Sequence, residues 1–465
     1  MRVIVWAAVE FVVLAVLAVV RARLWTYGSD TGTFAQIVAD AWHGMRNGVE
    51  AGSHFRYHWS PALAIAWPLV GLTHSALPLQ LLQAAATAAC GPLVATIARP
   101  YTGKKLANSL GLVTLVYPPL LALGFDEFHE LGLFTPLVLV MFAAADRGRW
   151  TWFALAGAAG VGLREDAALT LAFFGAAVTA IAVRSARTRS QGRGLLDGHA
   201  AQPRALAIAG GGLALASVAA LAVYYGVIAP RLGGWEPSHF YVYPFASGPL
   251  SLAMAPFTHT LQFVRAVFTL GRLTYVLEAL VPLAFLPLLS PWALLALPGA
   301  AVVLLANSGY VWRMGDHYAA LWIPWLIVGG IMGCATLLER STTVARRWVL
   351  TAGTLCAIFL IAFDPLHPLH YLHPYYHDLA DARRAIECVP KNDSFATYDE
   401  WFSATAASRP RATIARTGGV QYLVYADDFP DTAYQRRLRA AIESAHYRAV
   451  CRFGHVAAYQ AGDAR

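Results

Sequence analysis

The stretch RVIVWAAVEFVVLAVLAVVRARLWTYGSDTGTFAQ, Arg2 to Gln36, decides how the rest of the chain is read. Residues 3–21 form an apolar run, and about 20 such residues are what a helix needs to cross the hydrocarbon core of a bilayer. Ser29-Asp30-Thr31-Gly32 follows just beyond it, an acid ahead of an amphipathic stretch. A carboxylate placed there can act as general base on a hydroxyl at the membrane surface. It can equally cap the helix that begins near Thr31, since Asp is a preferred N-cap, and one residue can do both.

The whole chain shares this character. Of its 465 residues 57% are hydrophobic and 13% charged, against about 25% charged in ordinary soluble domains. That describes a polytopic membrane protein and excludes a soluble enzyme, a disordered scaffold and a disulfide-stapled secreted module. No short signal-type apolar segment precedes a soluble body, so simple secretion is not expected either. Eleven spans are read, near 3–21, 77–98, 105–123, 130–146, 149–164, 167–184, 206–229, 273–289, 291–306, 317–338 and 347–364.

The net charge of +8 calls for no nucleic acid, because much of the excess falls in short loops between spans. With the N-terminus cytoplasmic, Arg99, Lys104 and Lys105, Arg147 and Arg149, the group Arg184, Arg187, Arg189, Arg193 and Arg204, and Arg340, Arg346 and Arg347 all lie inside, as the Lys/Arg bias of membrane proteins requires. Trp59–Thr73, with Pro61, Pro68 and Gly71, is then a half-embedded helix, and 252–270 an interfacial one. The loops 22–58, 124–130, 230–250 and 307–316 face outward, and Glu165 and Asp166 join them. The tail 365–465 reads as a small outer α/β domain, with a short apolar run at Gln421–Tyr425, an Arg-rich helical stretch near Thr432–His446 and two strand-like runs at Tyr447–Arg452 and His455–Tyr459. The domain plan is therefore 1–364 in the membrane and 365–465 outside, joined by the aromatic connector Asp364–Tyr376.

The polar residues of this outer side are few and clustered. His58, in Tyr57-His58-Trp59-Ser60-Pro61, suits contact with phosphate, metal or acceptor, or serves as an interfacial residue beside the anchor Trp59. Phe125-Asp126-Glu127-Phe128-His129-Glu130 packs three acids and a histidine between two apolar spans, which is expensive unless they face water, a cation or one another. The three-residue spacing of Asp126 and His129 places them on one face if the segment is helical; a solvated turn is the plainer reading. Arg164-Glu165-Asp166 is a buried functional group or a self-compensating turn. In Arg313-Met314-Gly315-Asp316-His317-Tyr318 the arginine either clamps a phosphate or pairs with Asp316.

Among the five cysteines, Cys90, Cys334 and Cys356 lie in spans as packing residues. Cys388 and Cys451 lie in the outer tail, where a bridge is chemically permitted, but their spacing carries no geometric information. No P-loop, dinucleotide fingerprint, HExxH or nucleophile elbow is present.

Taken in order, these motifs resemble a bacterial family of polytopic membrane proteins of unknown function related to the GT-C glycosyltransferase superfamily. Asp30-Thr-Gly-Thr-Phe-Ala-Gln36 resembles the family's FDxGxFxQ, His58-Trp-Ser-Pro61 its HFSP, and Tyr117-Pro-Pro119 with Phe125–His129 its YPP and FDFH. Glu165-Asp166, His317-Tyr318 and Ser408-Arg409-Pro410 match its KED, HY and SNRP elements. The chain departs from the pattern at Ser29, at the extra Glu127 and at Arg164, and Glu127 puts the relative placement of Asp126 and His129 in doubt.

The resemblance implies a GT-C-like helical bundle with outer juxtamembrane helices, a site at the outer face of the bacterial inner membrane, and inverting transfer of a sugar from a polyprenyl-phosphate donor to an envelope acceptor. In that reading Asp30 is the base, while His58, Asp126, His129, Glu165 and Asp166 line the site. Arg313 or His317 holds the donor phosphate, and a divalent cation, if one is used, falls to Asp126, His129, Glu165 and Asp166. The rival class is a transporter or flippase of a lipid-linked or amphiphilic solute. Transporters commonly show repeat symmetry and midplane polar residues, whereas the acids here gather at one face. Oligomeric state, sugar and acceptor are not encoded legibly. The dominance of Arg over Lys suggests a GC-rich bacterial genome.

Overall fold

The computed structural model describes residues 2–188, 203–234, 240–362, 364, 366–373, 379–414, 420–426, 436, 439–440, 442–443 and 447–462. Arg189, Arg193, most of Thr432–His446 and part of the connector lie outside the described residues.

Helices dominate. Those that position the site are α1 (Arg2–Leu24), α2 (Ser29–Ala39), α3 (Leu77–Leu115), α4 (Pro118–Phe125), α5 (Phe134–Ala145), α6 (Trp150–Val161), α7 (Glu165–Thr188), α8 (Pro203–Val223), α9 (Ile323–Arg340) and α10 (Thr342–Ala362). Six described helical stretches are long and apolar enough to cross a membrane: Arg2–Leu24, Leu77–Leu115, Glu165–Ala186, Pro203–Arg231, Ile323–Arg340 and Thr342–Ala362. Shorter apolar helices accompany them at Pro61–Gly71, Glu130–Ala145, Trp150–Val161 and Pro291–Leu304. The expected eleven spans therefore do not carry over as a count. Some are short pieces, and the expected pair 77–98 and 105–123 is mostly the two arms of α3. That helix is interrupted at Gly103 (φ +73°), a left-handed value glycine adopts without strain.

α1 turns Ile4, Val5, Trp6, Val9, Val12, Val13 and Val16 outward. So large an exposed apolar face belongs in lipid rather than water. α9 is the opposite case, buried along most of its length. Its Trp325 meets Phe134, Phe142 and Phe174, with ring centroids 6.4, 6.1 and 5.2 Å away. Such tilted and edge-on contacts are the preferred aromatic geometries, and they tie α9 to α5 and α7 at the centre of the bundle.

The tail folds as a small α/β unit. Its strands are β1 (Phe395–Thr397), β2 (Ala412–Ile414), β3 (Tyr422–Ala426), β4 (Arg448–Phe453) and β5 (Val456–Gln460), in the order β2-β1-β3-β5-β4. β1 runs parallel to β2 and β3, while β5 runs antiparallel to β3 and β4. The two strand-like runs read from the sequence are β4 and β5, and the apolar run Gln421–Tyr425 falls on β3. Two helices, α11 (Leu379–Glu387) and α12 (Asp399–Thr405), contribute Ala382, Ile386, Trp401 and Phe402 to its core. Cys388, just after α11, is bonded to Cys451 on β4 with 6.6 Å between Cα atoms, within the usual range for a disulfide. Cys90, Cys334 and Cys356 are free and buried, as packing residues should be.

This unit is seated on α2. Buried Gln36 donates from Nε2 to the carbonyls of Arg409 (3.2 Å) and Ala412 (3.0 Å), and its Oε1 accepts from Gly48 N at 2.8 Å. Thr413 Oγ1 donates to Gly48 O at 2.8 Å. Gly32 faces α12 so closely that a Cβ there would stand 2.7 Å from both Phe402 Cε1 and Ser403 Cα. The glycine and glutamine of the Asp30–Gln36 segment thus hold the sheet unit against the helix that carries Asp30.

Candidate functional site: an acid and histidine cluster

Asp30 lies in the first turn of α2, not at its N-cap, which is Gly28 with no side-chain cap. The expectation that Asp30 caps the helix is therefore replaced. Glu127 does so from a distance, its Oε2 accepting from Thr31 N at 3.0 Å. Asp30 is freed for other work: among the described residues no hydrogen bond to its carboxylate is found. The side chain is exposed, yet dense protein surrounds it, and burial raises its pKa. His317 opposes that rise, while Asp316, Glu130 and Glu50 reinforce it.

The loop 126–129 is shaped by Gln83 of α3. Gln83 Nε2 donates to the carbonyls of Leu123 (2.8 Å) and Glu127 (3.1 Å), and Gln83 Oε1 accepts from His129 N at 3.0 Å. Asp126 and His129 are both extended. They do not share a helical face as their spacing suggested. Burial pushes the Asp126 carboxyl up to about 6, with Asp316 adding to the rise and Arg21 and His317 limiting it.

His129 Nδ1 lies 2.8 Å from Glu130 Oε2, a close contact without hydrogen-bond alignment. The His129 ring is stacked on His317, centroids 3.3 Å apart and planes 8° from parallel. Burial, then the charges of His317 and Arg164, push the His129 pKa well below the ordinary histidine value. His317 Nδ1 lies 2.9 Å from Asp316 Oδ1, and His317 Nε2 is buried with no hydrogen-bond partner among the described residues. Asp316 thus pairs with His317 and not with Arg313. Arg313 is exposed and forms no ion pair among the described residues, but its charge reaches Tyr371 together with those of Arg21, Asp126 and Glu127.

His58 Nδ1 lies 2.8 Å from Glu165 Oε1, and Trp59 N donates to Glu165 Oε2 at 2.8 Å. Burial and the nearby Arg164 charge keep His58 well below its ordinary pKa, so the neutral ring donates from Nδ1 to the carboxylate. Arg164 is buried, with Nε 3.1 Å from Asp166 Oδ2, Nη1 3.8 Å from Glu130 Oε1, and Nη2 donating to Tyr318 OH at 3.3 Å. A further pair, His54 Nδ1 with Glu50 Oε1 at 2.9 Å, adjoins His58, whose ring centroid is 5.5 Å from that of His54. Burial works against charge on His54, but Glu50 outweighs it and raises the His54 pKa.

The sequence-selected residues therefore gather around His317. It stacks on His129, its charge acts on Asp30, Asp126 and Asp166, and the Arg164 network links on to Glu165 and His58. Arg313 stands at the edge. Four histidine–carboxylate pairs make up the cluster; Glu50 is overlooked in the sequence, and His54, Glu130, Asp316 and Arg164 are given no site role there. Glu50, His54 and His58 recur every four residues, a signal present in the sequence. The four candidate metal ligands do not fit a cation as a set: Glu165 is engaged by His58 and Trp59, and the Arg164 guanidinium occupies Asp166. Among the described residues no three His, Cys, Asp or Glu side chains are arranged to hold a metal ion.

An apolar helical bundle with an acid-bearing helix after its first span and a sheet unit seated beside it defines a polytopic membrane protein, and its likeness to solved structures makes that fold GT-C-like. Residues 21–431 match the family described as "Predicted membrane protein (DUF2079)", and the chain belongs to it. Among solved structures it is similar to ArnT from Cupriavidus metallidurans bound to undecaprenyl phosphate, with 12% identity, a TM-score of 0.54, and 98% of each chain covered. The apo form of that protein gives 13% identity and a TM-score of 0.50, covering 97% of this chain and 98% of the other. The Archaeoglobus fulgidus oligosaccharyltransferase matches at 13% identity and a TM-score of 0.39, covering 90% of this chain and 69% of its own. Among curated proteins there is no match.

Proposed function

We propose that the protein is a membrane glycosyltransferase that takes a sugar from a polyprenyl-phosphate donor and passes it, with inversion, to an envelope acceptor at the outer face of the bacterial inner membrane. In this reading the N-terminus is cytoplasmic, residues 1–364 form the membrane domain, and residues 365–465 form the extracytoplasmic unit. The observation that carries it is the placement of Asp30, with no hydrogen bond to its carboxylate among the described residues, within the charge field of His317, Asp316 and Glu130. The fold's likeness to a protein seen with undecaprenyl phosphate supports the donor class.

Asp30 accepts the proton of an acceptor hydroxyl as the oxygen bonds to the anomeric carbon. The bond from that carbon to the carrier phosphate breaks, and its electron pair leaves with the phosphate. A carboxylate whose pKa is raised toward working pH is the better general base. His317, with its unpartnered Nε2, and Arg313 at the edge are the groups offered to the departing phosphate. His58, Asp126, His129, Glu165 and Asp166 line the site, and the Arg164 network holds the last two in place. Because the four candidate ligands do not fit a divalent cation as a set, no step here passes through one.

The test is turnover. Full-length protein in nanodiscs is offered a panel of sugars linked to undecaprenyl phosphate, with hydroxyl acceptors, and release of the free carrier phosphate is followed. Protein-dependent release with an inverted product supports the reading. Movement of intact labelled lipid across vesicles, with the sugar still attached, would instead establish a transporter.

A further inference from the structure

Glu10 stands apart from the cluster. It lies within α1, among apolar residues in a stretch that reads as a membrane span. Both of its carboxyl oxygens are buried and have no hydrogen-bond partner among the described residues. Glu10 lines a cavity of about 610 Å³ whose walls include Trp6, Val13, Leu17, Val116, Leu121 and Leu366. None of the carboxylates around His317 lines it. Trp6, Val9 and Val13 are also exposed, so the cavity opens sideways along α1.

A polar group buried in apolar surroundings without a partner is destabilising, and a carboxyl within a membrane marks function by default. The partner it calls for can be deduced by elimination. A bare hydrocarbon chain fits the walls but leaves both oxygens unsatisfied. A phosphate, carboxylate or ammonium headgroup carries a full charge into a medium of low dielectric. A hydroxyl both donates and accepts, and so matches a neutral carboxyl, which presents one O–H and one carbonyl oxygen. From Trp6 to Leu17 the helix rises about 16 Å at about 1.5 Å per residue, room for an extended chain beside it.

We propose that this cavity is a binding site for a hydrophobic alcohol, a long hydrocarbon or isoprenoid chain ending in a neutral hydroxyl that pairs with the Glu10 carboxyl. The site is independent of the glycosyltransferase reading and rests on the cavity and its unpartnered carboxyl.

Dicyclohexylcarbodiimide, which adds to protonated carboxyls reachable from lipid, is applied to the full-length protein in phosphatidylcholine nanodiscs, and peptide mass spectrometry reads the adduct on Glu10. Dodecanol is expected to slow labelling about tenfold, whereas dodecane and dodecyl phosphate at equal mole fraction leave the rate unchanged. Val13→Trp, which fills the cavity and keeps the carboxyl, is expected to remove the protection. Equal protection by dodecane, protection by dodecyl phosphate, no protection by dodecanol, or no adduct on Glu10 would each overturn the proposal.

Discussion

The imidazoles of His129 and His317 lie face to face, centroids 3.3 Å apart, although 188 residues separate them in the chain. Two stacked imidazoles cannot both carry charge at low cost. Burial and the His317 charge hold His129 well below its ordinary pKa, so His129 stays neutral. Nitrogen NMR on histidine-labelled protein, with His129→Gln for assignment, is expected to show His129 neutral throughout the pH range where ordinary histidines titrate. A His129 titration at the ordinary value contradicts this.

Asp126 gives a pH-dependent stability. Its folded-state pKa, about 6, lies above the ordinary value of 3.8, mainly through burial. Below the unfolded value the group is neutral in both states and costs nothing; as pH rises through the folded value it must ionise at the expense of the fold. Asp126→Asn is therefore expected to be no more stable than wild type at pH 4. Above pH 7 it should be more stable by about 1–3 kcal/mol, read from thermal unfolding at the two pH values.

Glu127 is one of the three departures from the family pattern, and it caps α2 through Thr31 N. Glu127→Ala is expected to cost about 1 kcal/mol, the usual worth of a helix cap. Glu127→Gln keeps an acceptor and should cost less. Hydrogen exchange at Thr31 separates the two.

Gly32 allows α12 to approach α2. Gly32→Ala sets a methyl against Ser403 Cα and the Phe402 ring, and overpacking of this kind costs about 1–3 kcal/mol. Limited proteolysis of the 395–460 region is expected to accelerate in Gly32→Ala relative to wild type, and unchanged proteolysis would show that the seam yields without loss.

The membrane character was legible because apolar length and loop charge are local signals. The strands at Tyr447–Arg452 and His455–Tyr459 were legible by the same kind of local pattern, and Gln421–Tyr425 was legible as an apolar run. Convergence was not. The contact that frees Asp30 comes from Glu127, the stack on His129 comes from His317, and the Cys388–Cys451 bridge closes across the sheet unit; each depends on tertiary approach that no spacing reveals. The spacing of Asp126 and His129 misled because Gln83 pins that loop in an extended form. Glu50, His54 and His58, by contrast, had a visible four-residue rhythm.

The central claim is that Asp30 takes the acceptor proton, and Asp30→Asn tests it most directly. The substitution keeps the size of the side chain, and no described hydrogen bond depends on the carboxylate, so folded yield and carrier binding should remain. Release of undecaprenyl phosphate from a sugar-linked donor is expected to fall about 10²–10⁴-fold, the usual worth of a general base. The wild-type rate should rise with pH along a limb displaced upward from the ordinary carboxylate range, in keeping with the raised Asp30 pKa. Undiminished turnover by Asp30→Asn would contradict the account.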